Sequence, residues 1–95
     1  MIEILVLTRE HCHFCDEAKA LLTQLAMAYD LVVDTLDITT PEGEALALRS
    51  GMLFPPGVFL DGVTFSYGRL SERKLRKALE RRLLQPQKEQ TGTVP

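Results

Sequence analysis

The chain has 95 residues, 45% of them hydrophobic and 25% charged, which is ordinary composition for one globular domain and too short for two. A formal net charge of -2 implies no general attraction to nucleic acid or to an anionic membrane. The opening run Met1-Ile2-Glu3-Ile4-Leu5-Val6-Leu7 does not read as a signal peptide: it is short, contains Glu3, and leads to no small-residue cleavage site. No segment is long and apolar enough to suggest a membrane span. The expected compartment is the cytoplasm, where reducing buffers disfavour structural disulfides.

Ile2 to Leu7 is apolar and predicts a buried strand. Thr8 to His11 form a turn. Ala18, Leu21, Leu22, Leu25 and Tyr29 then follow helical spacing, which predicts a helix from about Cys12 to Ala28. Leu31 to Ile38 reads as a second strand, parallel to the first and reached by a right-handed crossover. Thr40 suits the N-cap of a second helix and Pro41 its first position. Gly51 suits its end. Val58 to Leu60 and Val63 to Phe65 read as a hairpin about Asp61-Gly62. Gly68 breaks the pattern, and Ser71 caps a last helix. Leu70 and Leu75 have the spacing of a hydrophobic staple, while Leu75, Ala78, Leu79 and Leu83 form a buried stripe. From Pro86 the chain is polar and predicts a flexible tail at 86–95, leaving one domain over 1–85. The order is β-α-β-α-β-β-α, an α/β fold with helices on both faces of a four-stranded mixed sheet.

Charge is uneven along the chain. Residues 1–44 hold nine acids and two bases, whereas residues 45–95 hold four acids and nine bases. Seven of those bases (Arg69, Arg73, Lys74, Arg76, Lys77, Arg81 and Arg82) fall in one stretch. Such a stretch is either a solvated helix face or a docking surface for an acidic partner or nucleic acid.

The sequence has two cysteines, in the motif Cys12-His13-Phe14-Cys15. Cys12 falls where the first strand meets the first helix. Unpaired amides and the positive end of the helix dipole stabilise an anion there. A thiol so placed loses its proton more readily, and the thiolate is the species that attacks a disulfide. Cys15 lies one turn deeper on the same helix face, within disulfide reach of Cys12. Cys12 is therefore assigned as nucleophile and Cys15 as the resolving thiol. His11 and His13 flank the nucleophile and would favour the thiolate if protonated. Glu10, Asp16 and Glu17 push the other way. Zinc is a weaker reading, because tetrahedral zinc takes four ligands and no second ligand pair exists. Two inert core cysteines are the remaining alternative.

The run Cys12-His13-Phe14-Cys15-Asp16-Glu17-Ala18 resembles the helix start of the glutaredoxins, and more narrowly of the small bacterial glutaredoxin-like proteins. The resemblance covers about residues 2–84. It implies a thioredoxin fold with sheet order 2-1-3-4 and the third strand antiparallel to the first. Pro55-Pro56-Gly57-Val58-Phe59 matches the family's cis-proline loop, with Pro56 in the cis position. Thr93-Val94-Pro95 copies that loop's usual letters, but no strand follows it. The implied activity is thiol–disulfide exchange with a disulfide-containing protein or small molecule, by a monomer with no bound cofactor. Glutathione or a thioredoxin-reductase-type enzyme would be the reductant.

The same resemblance places Arg9, Phe14, Pro55, Pro56, Gly57, Gly68 and Ser71 at the substrate or glutathione site. Arg9 would hold a glutathione carboxylate. Gly68, Ser71 and the first turn of the last helix would receive the γ-glutamyl end. Two departures bear on this. One glycine follows Tyr67 where the family often has two, and Pro55 stands where a backbone amide usually donates to bound peptide. Two other functions are open to such a chain. Cys12 could ligate an iron–sulfur cluster shared between two chains, with glutathione completing the shell. A redox-inactive adaptor could instead bind a partner through the basic last helix.

Overall fold

Seven elements follow in the predicted order: β1 (Ile2–Thr8), α1 (His13–Leu25), β2 (Leu31–Asp37), α2 (Pro41–Ser50), β3 (Gly57–Leu60), β4 (Val63–Tyr67) and α3 (Glu72–Leu84). The computed structural model describes residues 1–84. The tail at 86–95, with Thr93-Val94-Pro95, and the domain limit at 85 lie outside the described residues. The four strands form one sheet in the order β2-β1-β3-β4. β1 and β2 are parallel, and β3 is antiparallel to both β1 and β4.

Strand residues two apart share a face. Ile2, Ile4 and Val6 of β1 and Val58 and Leu60 of β3 therefore meet one helical layer. That layer supplies Leu22 and Leu25 from α1 and Leu75 and Leu79 from α3. Burying each of these leucines contributes roughly 1.5–3 kcal/mol, so this face carries most of the core. α2 covers the opposite face more thinly. Leu7 and Phe59 are buried there, but of α2 itself only Gly43 is.

The local signals act where the sequence places them. Thr40 Oγ1 accepts from the Gly43 amide at 3.0 Å and donates to the Asp37 carbonyl at 2.7 Å. Gly51 ends α2 in the left-handed region at φ 73°, and the Met52 amide closes back onto the Ala47 carbonyl at 3.1 Å. Asp61 and Gly62 have φ values of 49° and 84°, the two left-handed residues of a tight hairpin. Ser71 Oγ accepts from the Lys74 amide at 3.2 Å. Asp37 accepts from both the side chain and the amide of Thr39, which lowers its carboxyl below the usual range.

Some boundaries differ from expectation. α1 begins at His13, with Cys12 as its N-cap. It stops at Leu25, not Ala28, and the chain leaves through tighter turns from Met27 to Gln24 and from Ala28 to Leu25. The residues after Leu25 have little to bury: Met27 is 86% exposed. Tyr29 still reaches the core edge from this turn, and its hydroxyl donates to Glu80 at 2.8 Å. β2 ends at Asp37, where the chain turns: the Thr39 amide donates to the Asp37 carboxylate at 2.8 Å and the Thr40 amide to the Asp37 carbonyl at 3.1 Å. β4 runs on to Tyr67, two residues past Phe65.

Leu83 is a further correction. It is exposed, not part of the buried stripe, because α3 has passed the sheet by this turn. Arg82 beside it reaches Asp61 of the hairpin at 3.3 Å. Arg76 pairs with Glu72 at 2.8 Å, which raises its already high pKa. Two bases of the basic stretch are thus engaged within the molecule.

Candidate redox-active cysteine site

β1 delivers the chain to the site. After Thr8 it turns through Arg9 and Glu10 to His11, whose φ of 56° is uncommon for a residue with a side chain. That left-handed step sets Cys12 down at the N-cap of α1, in extended geometry at φ -116° and ψ 108°. Cys12 Sγ accepts from the Cys15 amide at 3.1 Å, the bond that a Ser or Asp oxygen makes at an ordinary cap. Its carbonyl accepts from the Asp16 amide at 3.1 Å. The sulfur therefore receives one amide at the positive end of the helix, a placement that would stabilise a thiolate.

Cys12 and Cys15 are joined in a disulfide, with their α-carbons 5.2 Å apart. Cys12 is 7% exposed and Cys15 is 0% exposed, so incoming thiols or disulfides meet Cys12 first. His13 runs along the helix away from Cys12, and its Nε2 lies 3.0 Å from Glu17. Its ring also tilts against Phe14, 5.8 Å between centroids. Arg9, His11 and Phe14 are exposed around the cysteine.

The second wall comes from β3. Leu7 lies opposite Gly57 in the sheet, which sets the start of β3 beside the end of β1. The Pro55-Pro56 bond is cis, as the resemblance implied. Pro55, Pro56 and Gly57 are all buried. Neither proline has an amide hydrogen to offer a bound chain, and the Pro56 carbonyl already accepts from the Gly68 amide at 2.8 Å.

Gly68, with φ 81°, lies beneath the ring of Phe54. A Cβ at that position would meet Phe54 Cε2 at 2.5 Å. Phe54 is 53% exposed and meets Tyr67 edge-on, at 5.5 Å and 87°. Sequence reading did not single out these two aromatics. An aromatic residue on a loop just before a proline pair is the one local signal that points to Phe54. Ser71 is held as the α3 cap and stands away from this aromatic pair, in an open cleft between α1 and the start of α3. The cleft is lined by Glu17, Ala18, Leu21, Arg69, Leu70, Ser71 and Glu72, so an anion entering it would meet one guanidinium as well as two carboxylates.

A pair of cysteines one helical turn apart, the outer one capping the helix and a cis-proline loop beside it, defines a thiol redox site on a thioredoxin-like fold. Residues 3–80 match the Glutaredoxin-like domain (DUF836) family, and the chain belongs to that family. No curated protein matches it. Among solved structures, a thioredoxin-like protein from Clostridium perfringens superposes with a TM-score of 0.69 at 14% identity, over 85% of this chain and 70% of the other. A point mutant of thioredoxin from Halobacterium salinarum NRC-1 gives 0.66 at 24% identity, over 84% and 73%. Oxidised thioredoxin O2 from Arabidopsis thaliana gives 0.65 at 16% identity, over 85% and 74%. At these identities the likeness is one of fold. No helix among the described residues is long and apolar enough to cross a membrane.

Proposed function

We propose that the protein is a dithiol–disulfide oxidoreductase, with Cys12 as nucleophile and Cys15 as resolving thiol. The observation that carries this reading is the capping sulfur: Cys12 Sγ receives the Cys15 amide at the N-terminus of α1 and is the more exposed of the pair. In the reduced protein the Cys12 thiolate attacks a substrate disulfide. A Cys12–substrate disulfide forms, and the first substrate thiolate leaves and takes a proton. Cys15 then loses its proton and attacks Cys12 Sγ. The Cys12–Cys15 disulfide forms, and the second substrate thiolate leaves and is protonated. An external dithiol or reductase returns the two electrons. We propose a cytoplasmic setting and a protein or small-molecule disulfide as substrate.

The test uses the reduced protein and a disulfide-bonded protein in stoichiometric amounts, quenched with acid at intervals. One Cys12–Cys15 disulfide is expected for each substrate disulfide lost. Substrate reduction without oxidation of the cysteine pair would overturn the reading.

Glutathione is a poorer fit than a small dithiol, which asks for no backbone hydrogen bonds from the loop. Neither Pro55 nor Pro56 has an amide hydrogen to donate, and the ring of Phe54 packs against Gly68. The donor missing at Pro55 costs about 0.5–1.5 kcal/mol. Phe54→Ala is expected to speed reduction of the Cys12–Cys15 disulfide by millimolar glutathione several-fold, with little change for dithiothreitol. Stopped-flow measurement of both reactions checks this, and equal acceleration of the two would remove Phe54 from the selectivity.

A further inference from the structure

α3 turns Leu75 and Leu79 to the core and leaves Arg73, Lys74, Lys77 and Arg81 exposed. Arg73, Lys77 and Arg81 are spaced four apart and stand in one row, with Lys74 beside it. None of the four pairs with a carboxylate among the described residues. The two acids of the helix are engaged elsewhere: Glu72 holds Arg76 at 2.8 Å, and Glu80 accepts from the Tyr29 hydroxyl at 2.8 Å. The row works against the helix that carries it. Like charges four apart repel, and both Arg73–Lys77 and Lys77–Arg81 are such pairs. Arg73 and Lys74 also stand in the first turn, where the helix dipole favours acids over bases. Arg81, in the last turn, alone suits its place. A surface that serves only solubility intersperses its signs, yet here bases gather on one face of a chain with net charge -2.

The row starts at the redox end of the molecule. Tyr67, at the end of β4, lies opposite Gly57, and Gly57 lies opposite Leu7 near the end of β1. The Gly68 amide then reaches the Pro56 carbonyl, and Arg69 lines the cleft between α1 and the start of α3. From Arg73 to Arg81 the row runs about 12 Å, at roughly 1.5 Å of rise per residue. Resting on the oxidoreductase reading above, we propose that this row docks a disulfide-bearing protein substrate through an acidic segment that lies along α3 while the disulfide meets Cys12. Complementary charge draws such a partner in and fixes its orientation. A nucleic acid fits less well. Its phosphates would continue past the row toward the exposed Glu10, Asp16 and Glu17, and α3 carries no aromatic side chain on which a base could stack.

The test uses two synthetic peptides, each with one internal disulfide, flanked by a run of glutamates in one and of glutamines in the other. Stopped flow follows their reduction by wild type, by Arg73→Gln/Lys74→Gln/Lys77→Gln, and by Lys19→Gln/Arg49→Gln, whose changes lie on α1 and α2. Wild type is expected to reduce the glutamate peptide about tenfold faster, the lower end of electrostatic steering. The preference should vanish near 1 M salt, where charges are screened beyond about 3 Å. The triple variant loses the preference at low salt, and the double variant keeps it. The same preference in wild type and the triple variant would overturn the proposal. The triple variant should also unfold at no lower temperature than wild type, because it removes both repelling pairs; a lower Tm would assign the bases to the fold instead. Binding of a glutamate peptide with serines for its cysteines to the oxidised protein needs no exchange chemistry, and its NMR shifts should gather on residues 73–81. Shifts gathered elsewhere would overturn the proposal. So would tighter binding of an oligodeoxynucleotide to the row, or shifts there on raising the protein concentration alone, which would mark a second copy as the occupant. Failure of wild type to reduce either peptide would strike the oxidoreductase reading, and the NMR titration would still judge the docking surface.

Discussion

Cys12→Ser is expected to reduce disulfide exchange to the rate of the uncatalysed reaction, while Cys15→Ser keeps the first step and traps the substrate. The asymmetry follows from placement. Cys12 holds the N-cap of α1 and is the cysteine that incoming groups reach. A serine there keeps the cap, since its oxygen accepts the Cys15 amide as well as sulfur does. The fold is therefore retained and the chemistry is lost, because a serine hydroxyl forms no disulfide. With Cys12 intact and Cys15 replaced, the thiolate still attacks a protein disulfide, but nothing inside the molecule releases the product. Mass spectrometry of the quenched mixture should show the covalent adduct for Cys15→Ser and none for Cys12→Ser. Turnover by Cys12→Ser at the wild-type rate would end the assignment of the nucleophile.

Gly43→Ala is expected to lower stability by about 3 kcal/mol, at the upper end of what overpacking costs. A Cβ at Gly43 would overlap the Asp37 carbonyl, which is main chain and cannot swing aside. That carbonyl is fixed further, accepting from the Thr40 amide at 3.1 Å and from Thr40 Oγ1 at 2.7 Å. The start of α2 must lift from the end of β2 to admit one methyl group. For a domain of this size the loss corresponds to a fall in Tm of roughly 12–24 °C. Thermal unfolding followed by circular dichroism measures it. The cysteine site belongs to the opposite layer, so exchange per folded molecule should stay near the wild-type rate. An unchanged Tm would mean that the β2–α2 junction is looser than its hydrogen bonds indicate.

The features legible in the letters are the local ones. Thr40 and Ser71 cap helices through atoms three residues away, Asp61-Gly62 turns a hairpin alone, and Gly51 ends α2 by adopting a conformation open to glycine. The Cys12–Cys15 pair belongs with these, because one helical turn sets its spacing wherever the helix lies. The sheet order was legible only through the resemblance to the glutaredoxins. The end of α1 and the exposure of Leu83 were misread because periodicity continues in the letters after the surface that would bury them has ended. The surroundings of the cysteines, by contrast, come from packing across the chain. Phe54 and Gly68 meet because β3 and β4 pair in one register, shifted by an irregularity between Val58 and Phe59. The Thr8 hydroxyl, in a turn-forming stretch, reads as polar surface, and only packing leaves it buried without a partner among the described residues. Contacts between segments distant in the chain depend on how sheets register and layers stack, which local propensity does not encode.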